Sequence, residues 1–151
     1  YIQSRFYRAP EIILGLNYGL EIDIWSFGCI LAELYTGIPI FPGENEIDQL
    51  GYISEYFGFP NDELINKARK KSTFFEVKKN EMGQPTYIPI KVANSRGKIR
   101  QPFTKKLSKF LNGADEEFID LIKKCLEWDP EKRIKPDEAI LHNWIIEGMP
   151  E

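Results

Sequence analysis

The 151 residues suffice for one hydrophobic core and fall short of two ordinary domains. With 42% apolar and 28% charged side chains, the composition is that of a folded globule and excludes a disordered tail. The net charge of −3 conceals segregation: residues 10–66 carry ten acidic and no basic side chains, residues 67–106 twelve basic and two acidic, and residues 107–151 six basic and eleven acidic.

No apolar run approaches the roughly 18–20 residues that cross a bilayer, so no membrane partner is expected. The opening Tyr1-Ile2-Gln3-Ser4-Arg5 resembles neither a signal nor a transit peptide. Cys29 and Cys125 stand in apolar surroundings without metal-ligand spacing. They read as buried thiols of an intracellular protein, cytoplasmic or nuclear.

Taken in chain order, residues 1–20 are rich in Arg, Tyr, Pro and Gly and predict a loop with a short helix after Pro10. From Ile22 to Tyr35 only Asp23, Ser26 and Glu33 are clearly polar, so the pattern predicts a helix apolar nearly all round. Such a helix should be a central post, with Trp25, Phe27, Ile30, Leu31 and Leu34 in the core. Gly37 and Pro39 end it. A second helix is predicted over 46–57, capped by Asn45 and stopped by Gly58, with Ile47, Leu50, Ile53 and Phe57 at helical spacing.

A polar helix is expected over 61–71. From 72 to 113 the pattern dissolves into Gly, Pro, Lys and Asn, with β-like pieces near 86–90 but no convincing multi-strand sheet. The basic belt within it reads most simply as a solvated, loop-rich insertion; the alternative is a docking surface for acidic partners. Phe74, Phe75 and Tyr87 form no evident stacking array, and no groove-reading motif appears, so nucleic acid is not the expected partner. Over 115–127, Phe118, Leu121, Ile122, Cys125 and Leu126 make one apolar stripe. Glu116 and Glu117 lie in its first turn, and Lys123 and Lys124 near its last. Pro136 opens a final helix expected to reach His142, the only histidine, which excludes a multi-histidine metal site and a self-contained Ser-His-Asp triad.

Three ordered motifs carry a resemblance. Ala9-Pro10-Glu11 resembles the end of a protein-kinase activation segment. Asp23-Ile24-Trp25-Ser26-Phe27-Gly28 resembles the kinase Asp-x-Trp-Ser-x-Gly signature at its usual distance. Trp128-Asp129-Pro130 with Arg133, and then His142-Asn143-Trp144, resemble the late motifs. Tyr1–Gly15, Ser95-Arg96-Gly97-Lys98-Ile99-Arg100 and Cys125–Pro130 are most similar to the dual-specificity tyrosine-regulated kinases, second class, within the proline-directed CMGC group. Homeodomain-interacting kinases are the nearest competitors.

The resemblance implies a mainly α, protein-kinase-like fold, C-terminal lobe only, with a central buried helix and an irregular CMGC-type insertion. It makes 1–151 a partial kinase domain: 1–11 the end of the activation segment, 42–113 the insertion region, 115–146 the C-terminal helices. A Gly-rich nucleotide loop, a Val-Ala-x-Lys strand, His-Arg-Asp and Asp-Phe-Gly do not occur in these residues. No catalytic residue or metal ligand is therefore assigned, the stretch alone is expected to be inactive, and ATP and Mg²⁺ belong to a parent enzyme that joins it to an N-terminal kinase lobe. That parent would be a Ser/Thr kinase autophosphorylating on Tyr, acting on proteins with Ser/Thr-Pro sites; the alternative is a pseudokinase or a helical interaction module.

Residue by residue, the resemblance makes Tyr1 the autophosphorylated tyrosine, with Arg5 and Arg8 clamping its phosphate. Ile2, Gln3, Ser4 and Arg8 would form the substrate loop, Arg8 holding its carbonyls so that proline, which has no N–H, loses nothing there. Glu11 and Arg133 would form a buried ion pair. Asp23 and Trp25 would support the catalytic loop and the core.

Overall fold

The structure, a computed structural model, describes residues 2–150. After a single 3₁₀ turn at Arg5–Tyr7 come α1 (Pro10–Leu14), α2 (Glu21–Thr36), α3 (Glu46–Phe57), α4 (Asp62–Asn66) and α5 (Lys71–Phe74). A hairpin of β1 (Phe75–Lys79) and β2 (Pro85–Pro89) follows, then α6 (Leu107–Phe110), α7 (Glu116–Cys125), α8 (Pro136–Ala139) and α9 (Asn143–Glu147).

The long helices sit where caps and periodicity put them. Asn45 accepts the Asp48 N–H at 2.9 Å to start α3, and Asp115 accepts the Glu117 N–H at 2.7 Å to start α7. Gly37 closes α2 in the left-handed region, its N–H on the Glu33 carbonyl. The main core joins Ile13, Leu14, Trp25, Phe41, Ile53, Ile122 and Leu126, with Trp25 stacked on Phe41 at 5.7 Å between centroids. Packing of α2 on α7 is close enough that a Cβ on Gly28 would lie 2.7 Å from the Cβ of Cys125.

Four expectations are corrected. First, α2 is not enclosed on every side. Trp25, Gly28, Cys29 and Ala32 are buried, but Phe27, Ile30 and Leu34 are exposed, Leu34 at 78%. Only one face of α2 meets α7 and the Phe41 cluster; no other described element covers the far face. Second, 72–113 contains a two-stranded antiparallel sheet, with Val77 opposite Tyr87 in register. Third, the polar helix after residue 61 stops at Asn66, because the Arg69 and Lys70 N–H groups bond the carbonyls of Gly15 and Leu14 instead of continuing along the helix. Fourth, the helix opened by Pro136 stops at Ala139, short of His142, and a further helix, α9, follows it. His142 is extended (φ −65°, ψ 141°) and caps α9, its Nδ1 accepting the Trp144 N–H at 3.1 Å.

No helix among the described residues is long and apolar enough to cross a membrane.

Candidate functional site

The segment 2–11 lies across the N-terminal half of α2 and the start of α3, and its backbone is held by side chains. Gln3 adopts φ +67°, a left-handed conformation uncommon for a residue with a Cβ. Its amide explains how that persists. Nε2 donates to the Ile22 carbonyl at 2.9 Å and to Ser26 Oγ at 2.7 Å, while Oε1 accepts the Ala9 N–H at 2.9 Å. Ser26 Oγ in turn donates to the Tyr7 carbonyl at 2.8 Å. One polar residue in the apolar stretch of α2 therefore fixes the loop from below.

Arg8 crosses the same loop. Its Nη2 donates to the Gln3 carbonyl at 2.9 Å and its Nε to the Ile2 carbonyl at 3.3 Å. Its Nη1 reaches Glu46 of α3 at 3.3 Å, and Lys70 approaches the other oxygen of Glu46 at 3.9 Å. Arg5 bonds elsewhere, donating from Nε to the Gly43 carbonyl at 2.8 Å. Tyr1 and the phosphate clamp read for it lie outside the described residues. Ile2 and Ser4 are exposed; the Ser4 carbonyl closes the 3₁₀ turn, and its hydroxyl makes no cap bond. Tyr7 donates its phenol to Glu33 at 2.7 Å, and that bond, with burial and the charge of Glu33, raises the phenol pKa above its ordinary value.

Behind this edge, Glu11 and Arg133 meet 122 residues apart. Both side chains are out of solvent, with Nη1–Oε2 at 2.8 Å and Nη2–Oε1 at 3.0 Å. Arg133 also donates to the carbonyls of Glu127 (3.0 and 2.8 Å) and Glu21 (2.9 Å), and its guanidinium lies 5.3 Å from the Trp25 ring centroid. Trp25 is fully buried, and its indole N–H has no partner among the described residues. Asp23 is exposed on α2, its carboxylate with no hydrogen bond or ion pair among the described residues, beside the uncovered Phe27 and Ile30.

Sequence reasoning named Gln3, Arg5, Arg8, Glu11 and Arg133 but missed Ser26, Gly43 and Glu46 as the partners of Gln3, Arg5 and Arg8. A lone serine inside an apolar helix was the available signal for Ser26; Gly43 acts through a carbonyl, which leaves no mark in a sequence.

One cluster could invite a cation: Glu117, Asp120 and His142 have ligand atoms within 4.8 Å of one another. The hydrogen bonds argue otherwise. His142 Nδ1 accepts the Trp144 N–H, so the neutral ring carries its proton on Nε2, which points at Asp120 Oδ2 2.7 Å away. Lys124 already occupies the same oxygen at 2.9 Å. These groups do not fit Mg²⁺, which prefers oxygen ligands, and with the nucleotide motifs absent from the 151 residues no ATP or Mg²⁺ ligand set is assigned here. The edge formed by 2–11 holds no paired nucleophile and base. What it can do is present a fixed backbone and a hydroxyl-bearing loop to an extended chain.

The comparisons agree with the motifs. The protein kinase domain profile matches residues 1–145. Dual specificity tyrosine-phosphorylation-regulated kinase 2 of Drosophila melanogaster is 50% identical over 96% of the chain and 19% of its own length. Serine/threonine-protein kinase ppk5 of Schizosaccharomyces pombe is 50% identical over 97% of the chain and 16% of its own length. Dual specificity tyrosine-phosphorylation-regulated kinase 4 of Homo sapiens is 48% identical over 96% of the chain and 26% of its own length. The chain thus spans about a quarter or less of each of these relatives.

Proposed function

The chain belongs to the protein kinase family, and from that premise we propose that it is the C-terminal-lobe portion of a proline-directed Ser/Thr kinase that phosphorylates its own Tyr1. In this reading 1–11 is the peptide-receiving edge, 42–113 the insertion region and 115–146 the C-terminal helices. ATP and Mg²⁺ are held by the rest of the domain, and the residues described here position the protein substrate.

The observation that carries the reading is the Arg8 guanidinium on the carbonyls of Gln3 and Ile2. A carbonyl already engaged by a cation offers a poor partner to the amide N–H that follows a phosphorylated Ser or Thr. A non-proline residue there loses a hydrogen bond on leaving water, whereas proline has no N–H to strand. The left-handed Gln3 and its three side-chain bonds fix the carbonyls in that engaged state. A second observation supports packing against a catalytic loop: the exposed stripe Asp23, Phe27, Ile30 and Leu34 is an apolar face of α2 with a carboxylate at one end. It suits packing under a catalytic loop, whose backbone N–H groups Asp23 would accept.

The test is peptide phosphorylation by the full-length protein with saturating ATP and Mg²⁺. A Ser-Pro peptide is expected to exceed its Ser-Ala counterpart in kcat/KM by at least about tenfold, and Arg8→Lys is expected to reduce that ratio. Equal use of both peptides by the unaltered enzyme overturns the proline reading. No transfer to any peptide with Tyr1 phosphorylated overturns the kinase reading and leaves the interaction module.

A further inference from the structure

A concavity lies between α3, the hairpin and the 90–102 stretch, and we propose that it binds an acidic peptide segment through one apolar anchor side chain. The cavity holds about 200 Å³. A dry apolar cavity of about 150 Å³ accepts benzene, so this one has room for a phenyl or isobutyl group. Leu50 and Phe74, both nearly inaccessible, form its floor; Ile88 and Ile99, each more than one-third exposed, form its mouth. Val92, 46% exposed, extends the apolar rim. Exposed apolar side chains gathered around a pocket, unlike scattered ones, mark a binding surface.

Charge chooses the occupant. Residues 82–114 contain no acidic side chain and seven basic ones. Lys91 lines the cavity and is exposed, and Arg96 and Lys98 are exposed in the turn that links the lining residues Val92 and Ile99. The one carboxylate that lines it, Asp48, is neutralised by Arg100 at 2.8 Å. Two further acids stand close by: Glu44 accepts from the amide and hydroxyl of Ser95, and Glu55 is met by Arg100, Lys98 and Lys105. Lys91, Arg96, Lys98, Arg100 and Lys105 outnumber the carboxylates Glu44, Asp48 and Glu55 by five to three, so the surroundings are net positive and an anchor flanked by Asp or Glu is steered to them. A concave site with a single side-chain compartment favours a peptide over a bilayer, into which protruding side chains insert.

The probe is a fluorescein-labelled Glu-Asp-Glu-Phe-Glu-Asp-Glu peptide, read by anisotropy against the full-length protein. We expect saturable binding that weakens with added salt, and at least about tenfold weaker binding when the central Phe is replaced by Ala. The double reversal Lys91→Glu with Arg96→Glu, two exposed positions, is expected to weaken the Phe peptide by a similar factor. Equal binding of the Phe and Ala peptides overturns the anchor, and no saturable binding overturns the site. Preferential binding to phosphatidylserine vesicles over the peptide shows a lipid surface and also overturns it. The Ala control uses the unaltered protein, so a folding defect cannot imitate it. Binding is read without phosphoryl transfer, so this proposal and the kinase reading fail separately.

Discussion

Arg133 and Arg100 each bind carboxylates from a distant part of the chain, yet they stand in different surroundings. Arg133 is sealed: its partner Glu11 is equally inaccessible, and its remaining donors go to backbone carbonyls. Arg100 divides its guanidinium between Asp48 at 2.8 Å and Glu55 at 3.0 Å and lies 3.5 Å from the Tyr52 ring centroid. Glu55 is also approached by Lys105 at 3.4 Å and Lys98 at 3.7 Å. Burial lowers the guanidinium pKa and Asp48 raises it; the partner wins, and Arg100 sits above its ordinary value. The first node is a one-to-one lock whose members have no substitute; the second is a shared one with cations in reserve. The comparison teaches that the cost of losing a partner depends on what can replace it, more than on the number of bonds drawn.

The largest expected effect follows from the sealed node. Glu11→Ala strands Arg133 without water and should cost about 3–5 kcal/mol of stability in urea titration, comparable with the whole margin of a small domain. Replacing both partners with apolar residues of similar volume, Glu11→Leu with Arg133→Met, should recover part of that loss. A double variant as unstable as the single one would show that losing the Arg133 bonds to the Glu127 and Glu21 carbonyls costs as much as stranding its charge.

Arg100→Met should be milder, about 1.5–3 kcal/mol, because Lys98 and Lys105 can still balance Glu55 while Asp48 loses its partner. Its effect should be local. Hydrogen exchange should quicken at the amides that tie the insertion to α3, Phe103 N–H on the Ser54 carbonyl and Lys105 N–H on the Glu55 carbonyl, while the α2 amides stay protected. A loss equal to that of Glu11→Ala, spread over the whole chain, would erase the contrast between the nodes.

The two nodes also differ in how far they could be read beforehand. Glu11 and Arg133 were paired from their motifs, since nothing local links residues 122 apart. The helices around them were legible from residues that act on their neighbours: Asn45 as a cap, Gly37 and Gly58 as stops, and the stripe of Phe118, Leu121 and Ile122. The Arg100 node lay inside the basic stretch read as a solvated insertion. Its one local trace is that Asp48 and Glu55 sit seven residues apart, on one face of α3, and so need a cation if covered. The exposed face of α2 was misread because periodicity reports which side chains are apolar, not which neighbours cover them. Likewise the stop at Asn66 is decided by carbonyls of residues 14 and 15, beyond any window around it.

The smallest effect extends the comparison to a third, partly exposed pair. Asp120 joins α7 to α9 by accepting from His142 at 2.7 Å and from Lys124 at 2.9 Å, and it keeps 44% of its side chain in solvent. The hydrogen bond from His142, then that from Lys124, hold its carboxyl below its ordinary value. A folded-state value below the unfolded one makes the contribution fully present above the unfolded pKa, near 4, and lost as pH falls through the folded one. Solvent screening limits it to about 0.2–1 kcal/mol. Asp120→Asn should therefore lower the Tm slightly at neutral pH, and the gap between variant and parent should close as pH falls through the lowered folded-state value. Because the substitution leaves Glu11 and Asp48 untouched, any loss near the several kcal/mol expected at Glu11 would mean that burial does not rank these three pairs.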